Sequence, residues 1–164
     1  MFLLLLLPLS LTSCGGDEKD EPNAPNNTDN SEIYNYTLSP SGYGGGRKFW
    51  MSLSTAGTAN PSLAFAANYR SGDGCESCKI NRIGVVSSLA AIKTIPSSNW
   101  QVVEHGYDMY GSRWLRLQDI KEKEGFVVEI VDSGISYYCK IWIKSFNKSA
   151  DGSIISINIE QDGN

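Results

Sequence analysis

From about Ile33 onward, apolar and polar residues alternate in short runs instead of recurring at helical spacing. β-Branched and aromatic side chains concentrate at 33–38, 47–53, 62–69, 79–87, 100–105, 113–120, 125–132, 136–146 and 153–161. Turn-forming sets separate these runs, among them Ser41-Gly42, Ser71-Gly72-Asp73-Gly74, Asp132-Ser133-Gly134 and Asp151-Gly152. Many short strands punctuated this way predict an all-β fold, an antiparallel sandwich or small barrel. Segment 87–95 is the one candidate for a short helical turn, ended by Pro96.

Alternation assigns faces. Tyr137, Cys139, Ile141 and Ile143 share one side of their strand, and Tyr138, Lys140, Trp142 and Lys144 share the other. Leu115 and Leu117 oppose Trp114 and Arg116. Phe126, Val128 and Ile130 form a third apolar face, and Ile155, Ile157 and Ile159 a fourth. The aliphatic faces are expected inside, since burial of each large side chain contributes about 1.5–3 kcal/mol. The last three strands read as an antiparallel meander whose final hairpin closes at Asp151-Gly152.

The start of the chain follows another pattern. Residues 1–13 carry no charge, and the apolar run from Phe2 to Leu11 is half of the roughly 20 residues a membrane-spanning helix needs. It matches the apolar region of a signal peptide. Leu11-Thr12-Ser13-Cys14 follows and resembles the bacterial lipobox, in which small residues precede a cysteine that is acylated. Acyl chains on Cys14 would anchor the protein, each buried methylene adding about 0.8 kcal/mol. Residues 15–32, rich in Gly, Pro, Asn and acid, read as a disordered tether. The organisation expected is therefore a leader at 1–13, a lipidated Cys14 with tether at 14–32, and one all-β domain at 33–164.

Composition changes this picture in one respect. The chain has 164 residues, 41% of them hydrophobic, and a formal net charge of −4. The tether alone carries −5, from Asp17, Glu18, Asp20, Glu21, Asp29 and Glu32 against Lys19, so the remainder stands at +1. That near-neutral domain, with a pI near 5.0 for the whole chain, argues against nucleic acid as a partner. Acidic residues just after the lipidated Cys also resemble the surface-export signal of Bacteroidetes lipoproteins.

Candidate chemistry is sparse. Cys75-Glu76-Ser77-Cys78 is a CxxC pair, but a β-like run follows it where a thioredoxin-like site has a helix. One CxxC and a single histidine, His105, make only half a zinc site, so no metal or other cofactor is expected. An exported, oxidising setting favours a Cys75–Cys78 disulfide, with Cys139 as the alternative partner of either. Gly42-Tyr43-Gly44-Gly45-Gly46-Arg47-Lys48 lacks the spacing of a phosphate-binding loop and reads as a mobile loop. Asp119, Glu122 and Glu124 alternate with Lys121 and Lys123 as a solvated connection. Trp114, Arg116, Tyr138, Lys140, Trp142 and Lys144 lie off the aliphatic faces. If their strands are neighbours they form an aromatic, basic patch suited to a glycan or a protein, and otherwise they form additional core.

Ile95-Pro96-Ser97-Ser98-Asn99-Trp100, Gly125-Phe126-Val127-Val128, the run Tyr137 to Ile143, and Gly152-Ser153-Ile154-Ile155 resemble a family of small Bacteroides-type lipoproteins classed as a domain of unknown function. The likeness covers roughly 60–161 and consists of packing patterns. The chain departs from it by a longer stretch between Trp100 and Gly125 and by the Cys75/Cys78 pair. The resemblance implies the fold class and the envelope location and carries over no catalytic residue. The expected function is a non-enzymatic, lipid-anchored binding or accessory module, on the surface of the bacterial outer membrane or facing the periplasm. The ligand expected is a glycan or an envelope protein. The alternatives are a structural envelope component that assembles with a protein partner, or an exported hydrolase or redox enzyme.

Overall fold

A computed structural model describes residues 32–45, 48–55, 61–68, 74–106 and 114–163, with the backbone alone at 105 and 106. The leader, Cys14 and nearly all of the tether lie outside the described residues. Among the described residues eleven strands form two sheets. They are β1 (Ile33–Leu38), β2 (Tyr43–Gly44), β3 (Phe49–Ser54), β4 (Ser62–Asn68), β5 (Ser77–Val85), β6 (Gln101–Val103), β7 (His105–Gly106), β8 (Leu115–Leu117), β9 (Glu124–Asp132), β10 (Ile135–Lys148) and β11 (Ile154–Asp162). A 3₁₀ turn at Leu89–Ala91 is the sole helical element of the described residues, inside the segment where one was expected.

The six-stranded sheet runs β1-β11-β10-β9-β5-β6, and the smaller sheet runs β2-β3-β4 with β7 and β8 both beside β4. Neither closes on itself, so the fold is an all-β sandwich and not a barrel. Among the described residues the strand pairings are antiparallel except β4 with β7, and an isolated parallel bridge joins Pro40 to Leu53. The meander β9-β10-β11 is present, and its last turn is held by Gly152 N–H donating to Ser149 O at 3.0 Å. Strand β2 is the element the sequence reading missed: Tyr43 and Gly44, assigned to a mobile loop, pair with Ser52 and Met51.

Inward faces of both sheets meet in one core that includes Phe49, Phe65, Phe126, Ile141, Ile143 and Ile157. The rings of Phe65 and Phe126 touch across the sheets, with centroids 6.2 Å apart. One expected inward residue departs. Ile155 is 54% exposed and Ile154 takes its place in the core, because the β10–β11 register shifts at Asn147/Lys148 and reverses the alternation there.

A second cluster covers the outer face of the six-stranded sheet. Leu89 and Ile92 from the 86–100 connection pack on Val127 and Trp142, joined by Ile83, Val86 and Trp100. Gly125 makes this approach possible. A Cβ on it would lie 2.8 Å from Ile92 Cδ1, closer than real contacts allow. The two ends of the sandwich differ. At one end Arg82 and Glu124 form a two-pronged ion pair, with Arg82 also donating to the carbonyls of Gln118 and Asp119. Glu124 is 3% exposed, which corrects its reading as part of a solvated connection.

Candidate functional site

The other end opens into a groove of about 1020 Å³ between β1, the edge of the large sheet, and β2, the edge of the small one. In β1 the pairing with β11 turns Tyr34, Tyr36 and Leu38 inward with Gln161, Ile159 and Ile157. Tyr36 is the deepest of the lining rings. Its hydroxyl donates to Gln161 Oε1 at 2.9 Å, and burial pushes its phenol well above the ordinary range. Gly44 allows this seating, since a Cβ there would stand 2.7 Å from Tyr36 Cε2. Around the rim Tyr34, Tyr43 and Tyr137 stay 49%, 43% and 44% exposed.

One ion pair lies in the wall. Lys48 Nζ reaches Asp132 Oδ2 at 2.8 Å, joining the two sheets at the mouth, and also donates to Gly74 O at 3.0 Å. The hydrogen bond from Lys48 holds the Asp132 carboxyl below the usual range. The pair cancels its own charge, so the groove offers aromatic faces, phenol hydroxyls and amides. That chemistry suits a neutral ligand held by stacking and hydrogen bonds. Among the described residues no three His, Cys, Asp or Glu side chains come together as metal ligands. No helix among them is long and apolar enough to cross a membrane.

The patch expected from Trp114, Arg116, Tyr138, Lys140, Trp142 and Lys144 does not assemble. Each residue lies off the aliphatic face of its strand, as alternation requires, but the strands belong to different sheets. Trp114 and Arg116 stand on the outside of the small sheet, and the other four on the outside of the large one. Trp142 is 7% exposed under the 86–100 connection, with its Nε1–H donating to Val86 O at 3.2 Å. Tyr138 donates to Glu129 Oε1 at 3.2 Å and lies near Trp100, with ring centroids 6.4 Å apart. Lys140 lies 3.8 Å from Asp162, and Lys144 pairs with Glu160 at 2.8 Å. On the small sheet Trp114 meets Tyr43, with ring centroids 6.0 Å apart, across the small side chains of Ser52 and Ala64.

The expected disulfide is likewise corrected. Cys75, Cys78 and Cys139 are all free and buried. The Cys75 thiol faces the carbonyls of Lys48 and Asn68, at 3.6 and 3.9 Å, while Cys78 is held in β5 between Val103 and Ile130. Cys139 Sγ lies 3.3 Å from Asp162 O, two strands away from β5. Burial raises all three thiols above their ordinary value, which disfavours the reactive thiolate.

The groove residues went unnoticed in the sequence, although one signal was present. Tyr34 and Tyr36 sit two apart in the strand that follows the tether, so both point to one face. Nothing local announced that β2 would stand opposite. Compared with protein-family models and with curated proteins, the chain finds no match.

Proposed function

We propose that this chain is a lipid-anchored binding or accessory module of the bacterial cell envelope, without catalytic activity of its own, and that the tyrosine-lined groove is its ligand seat. The observation that carries the seat is the set of three part-exposed tyrosines, Tyr34, Tyr43 and Tyr137, around a self-neutralising Lys48–Asp132 pair. Anchoring rests on Leu11-Thr12-Ser13-Cys14 and the acidic stretch behind it, features that also support display on the outer membrane. The proposal keeps the chain with the Bacteroides-type lipoproteins its sequence resembles.

Two measurements test it. In a host that acylates lipoproteins, labelled palmitate enters the full chain and Cys14→Ser abolishes the label; label retained by the variant removes the anchor. Protease added to intact cells digests the domain if it is displayed outward. For the seat, retention of a solubilised envelope fraction falls about tenfold in the double variant Tyr34→Ala/Tyr137→Ala, as two lost aromatic contacts predict. Undiminished retention places the ligand elsewhere.

A further inference from the structure

We infer that the groove takes an extended polypeptide segment of a partner protein, which adds to the six-stranded sheet beside β1. This rests on the groove being the ligand seat and names what occupies it. The Gly163 amide donates to the Glu32 carbonyl at 2.7 Å, and that bond sets the phase of the β1–β11 ladder. Antiparallel pairs alternate between bonded and non-bonded positions, so Tyr34, Tyr36 and Leu38 direct their main-chain groups to β11. Ile33, Asn35 and Thr37 direct theirs to the opposite side, where no described residue pairs with them.

That edge, unpaired among the described residues, is a wall of the groove. Tyr34, Asn35, Tyr36 and Thr37 all line it, although side chains of successive strand residues point to opposite faces. Lining by four consecutive residues fits a groove that runs along the strand's edge. Ile33, Asn35 and Thr37 each present an N–H and a C=O at a repeat of about 6.8 Å, two residues of strand. The main chain of an extended peptide matches that alternation of donors and acceptors. The hydroxyls of a sugar carry no such fixed repeat, and the self-neutralised Lys48–Asp132 pair calls for no charged ligand.

Within its own sequence and pairing, β1 carries none of the devices that blunt an edge. It spans six residues without Lys, Pro or a bulge, and exposes Ile33 and Tyr34 at 56% and 49%. The other edge strands among the described residues, β2, β6, β7 and β8, are two or three residues long. An added strand turns alternate side chains toward Tyr34 and Tyr36, so the favoured segment carries aromatic or aliphatic residues two apart.

The test uses the full chain made soluble by Cys14→Ser, a phage-displayed library of random linear peptides, and an array of neutral oligosaccharides. Selected peptides are expected to slow hydrogen exchange at Ile33, Asn35 and Thr37 by about tenfold or more, and to leave Tyr34 and Tyr36, already bonded to β11, unchanged. Asn35→Pro removes one N–H from the free side and is expected to weaken peptide binding about tenfold. Should that variant fail to fold, the exchange pattern of the unaltered sequence still decides. Peptides that bind without protecting those three amides overturn the inference, as does a chain whose β1 amides are protected by dimerisation before peptide is added. If only oligosaccharides bind, and Tyr34→Ala/Tyr137→Ala abolishes their binding, strand addition falls and the seat stands. If peptides and oligosaccharides both fail and envelope retention survives the double variant, both readings fall.

Discussion

The indole N–H of Trp142 donates to the carbonyl of Val86 across 3.2 Å, tying the 86–100 connection to the outer face of the large sheet. The ring beneath that bond packs with Leu89, Ile92 and Val127, so a tryptophan on the polar side of its strand does core work. Trp142→Ala is expected to destabilise the domain by about 3–5 kcal/mol, the usual cost of emptying a buried aromatic site. Trp142→Phe keeps most of the volume and strands the Val86 carbonyl, for about 1–3 kcal/mol. Urea unfolding gives both values. Faster proteolysis within 86–100 in the alanine variant, before global unfolding, identifies the connection as the part released.

Two ion pairs, one from a guanidinium and one from an ammonium, should differ in worth. Glu124, nearly buried, meets Arg82 with both oxygens and also accepts from the Lys121 amide at 2.9 Å. Lys144 pairs with Glu160 at 2.8 Å while half exposed, so water screens it. Glu124→Ala is expected to cost about 3 kcal/mol, leaving a guanidinium and an amide without their partner. Lys144→Ala is expected to change stability by less than about 1 kcal/mol. Equal effects in denaturant titrations would contradict this ranking.

The last hairpin carries a pH signature. The hydroxyl of Ser149 and the backbone amide of Ser153 both bond Asp151, and they lower its carboxyl from 3.8 to about 2. A carboxyl with a lowered folded value binds protons more readily when unfolded. Its support for the turn is therefore complete above about pH 4 and is lost as the pH falls through about 2. Carbon NMR of the Asp151 carboxyl should titrate near 2, and Ser149→Ala should move the midpoint upward toward 3.8.

Thiol titration separates the free cysteines from the expected bridge. In a chain carrying Cys14→Ser, Cys75, Cys78 and Cys139 are expected to react slowly with a thiol reagent at pH 8 while folded, because burial disfavours each thiolate. In denaturant without reductant all three should react. Reaction of Cys139 alone would mean that Cys75 and Cys78 are bridged.

Much of the fold was legible because strand signals are local. The run 33–38 coincides with β1, 125–132 differs from β9 by one residue at its start, and 136–146 differs from β10 by one residue at its start and two at its end. Side-chain parity was legible for the same reason: Leu115 and Leu117 turn toward the core while Trp114 and Arg116 turn away. β2 escaped because a two-residue strand containing glycine has no periodicity to detect; Tyr43 is held by pairing with Ser52 of β3. Glu124 escaped because neighbouring lysines mark a solvated stretch in one dimension, whereas Arg82, which holds it, lies 42 residues away.

By itself the sequence determined the rhythm of strands and turns, the side of its strand on which each residue stands wherever the ladder is regular, and the concentration of negative charge ahead of the domain; at Ile154 and Ile155 the register shift reversed that side. Those properties follow from backbone geometry and composition, which act between near neighbours. Only the tertiary structure decided which strands share a sheet. That choice sent Trp114 and Trp142 to opposite outer surfaces, buried one of them under the 86–100 connection, and set Tyr34 and Tyr36 facing β2 across a groove. The physical reason is that parity repeats every two residues in any strand. Sheet partnership is instead settled by how distant apolar faces can be buried together, and residues far apart in the chain enter that balance at once.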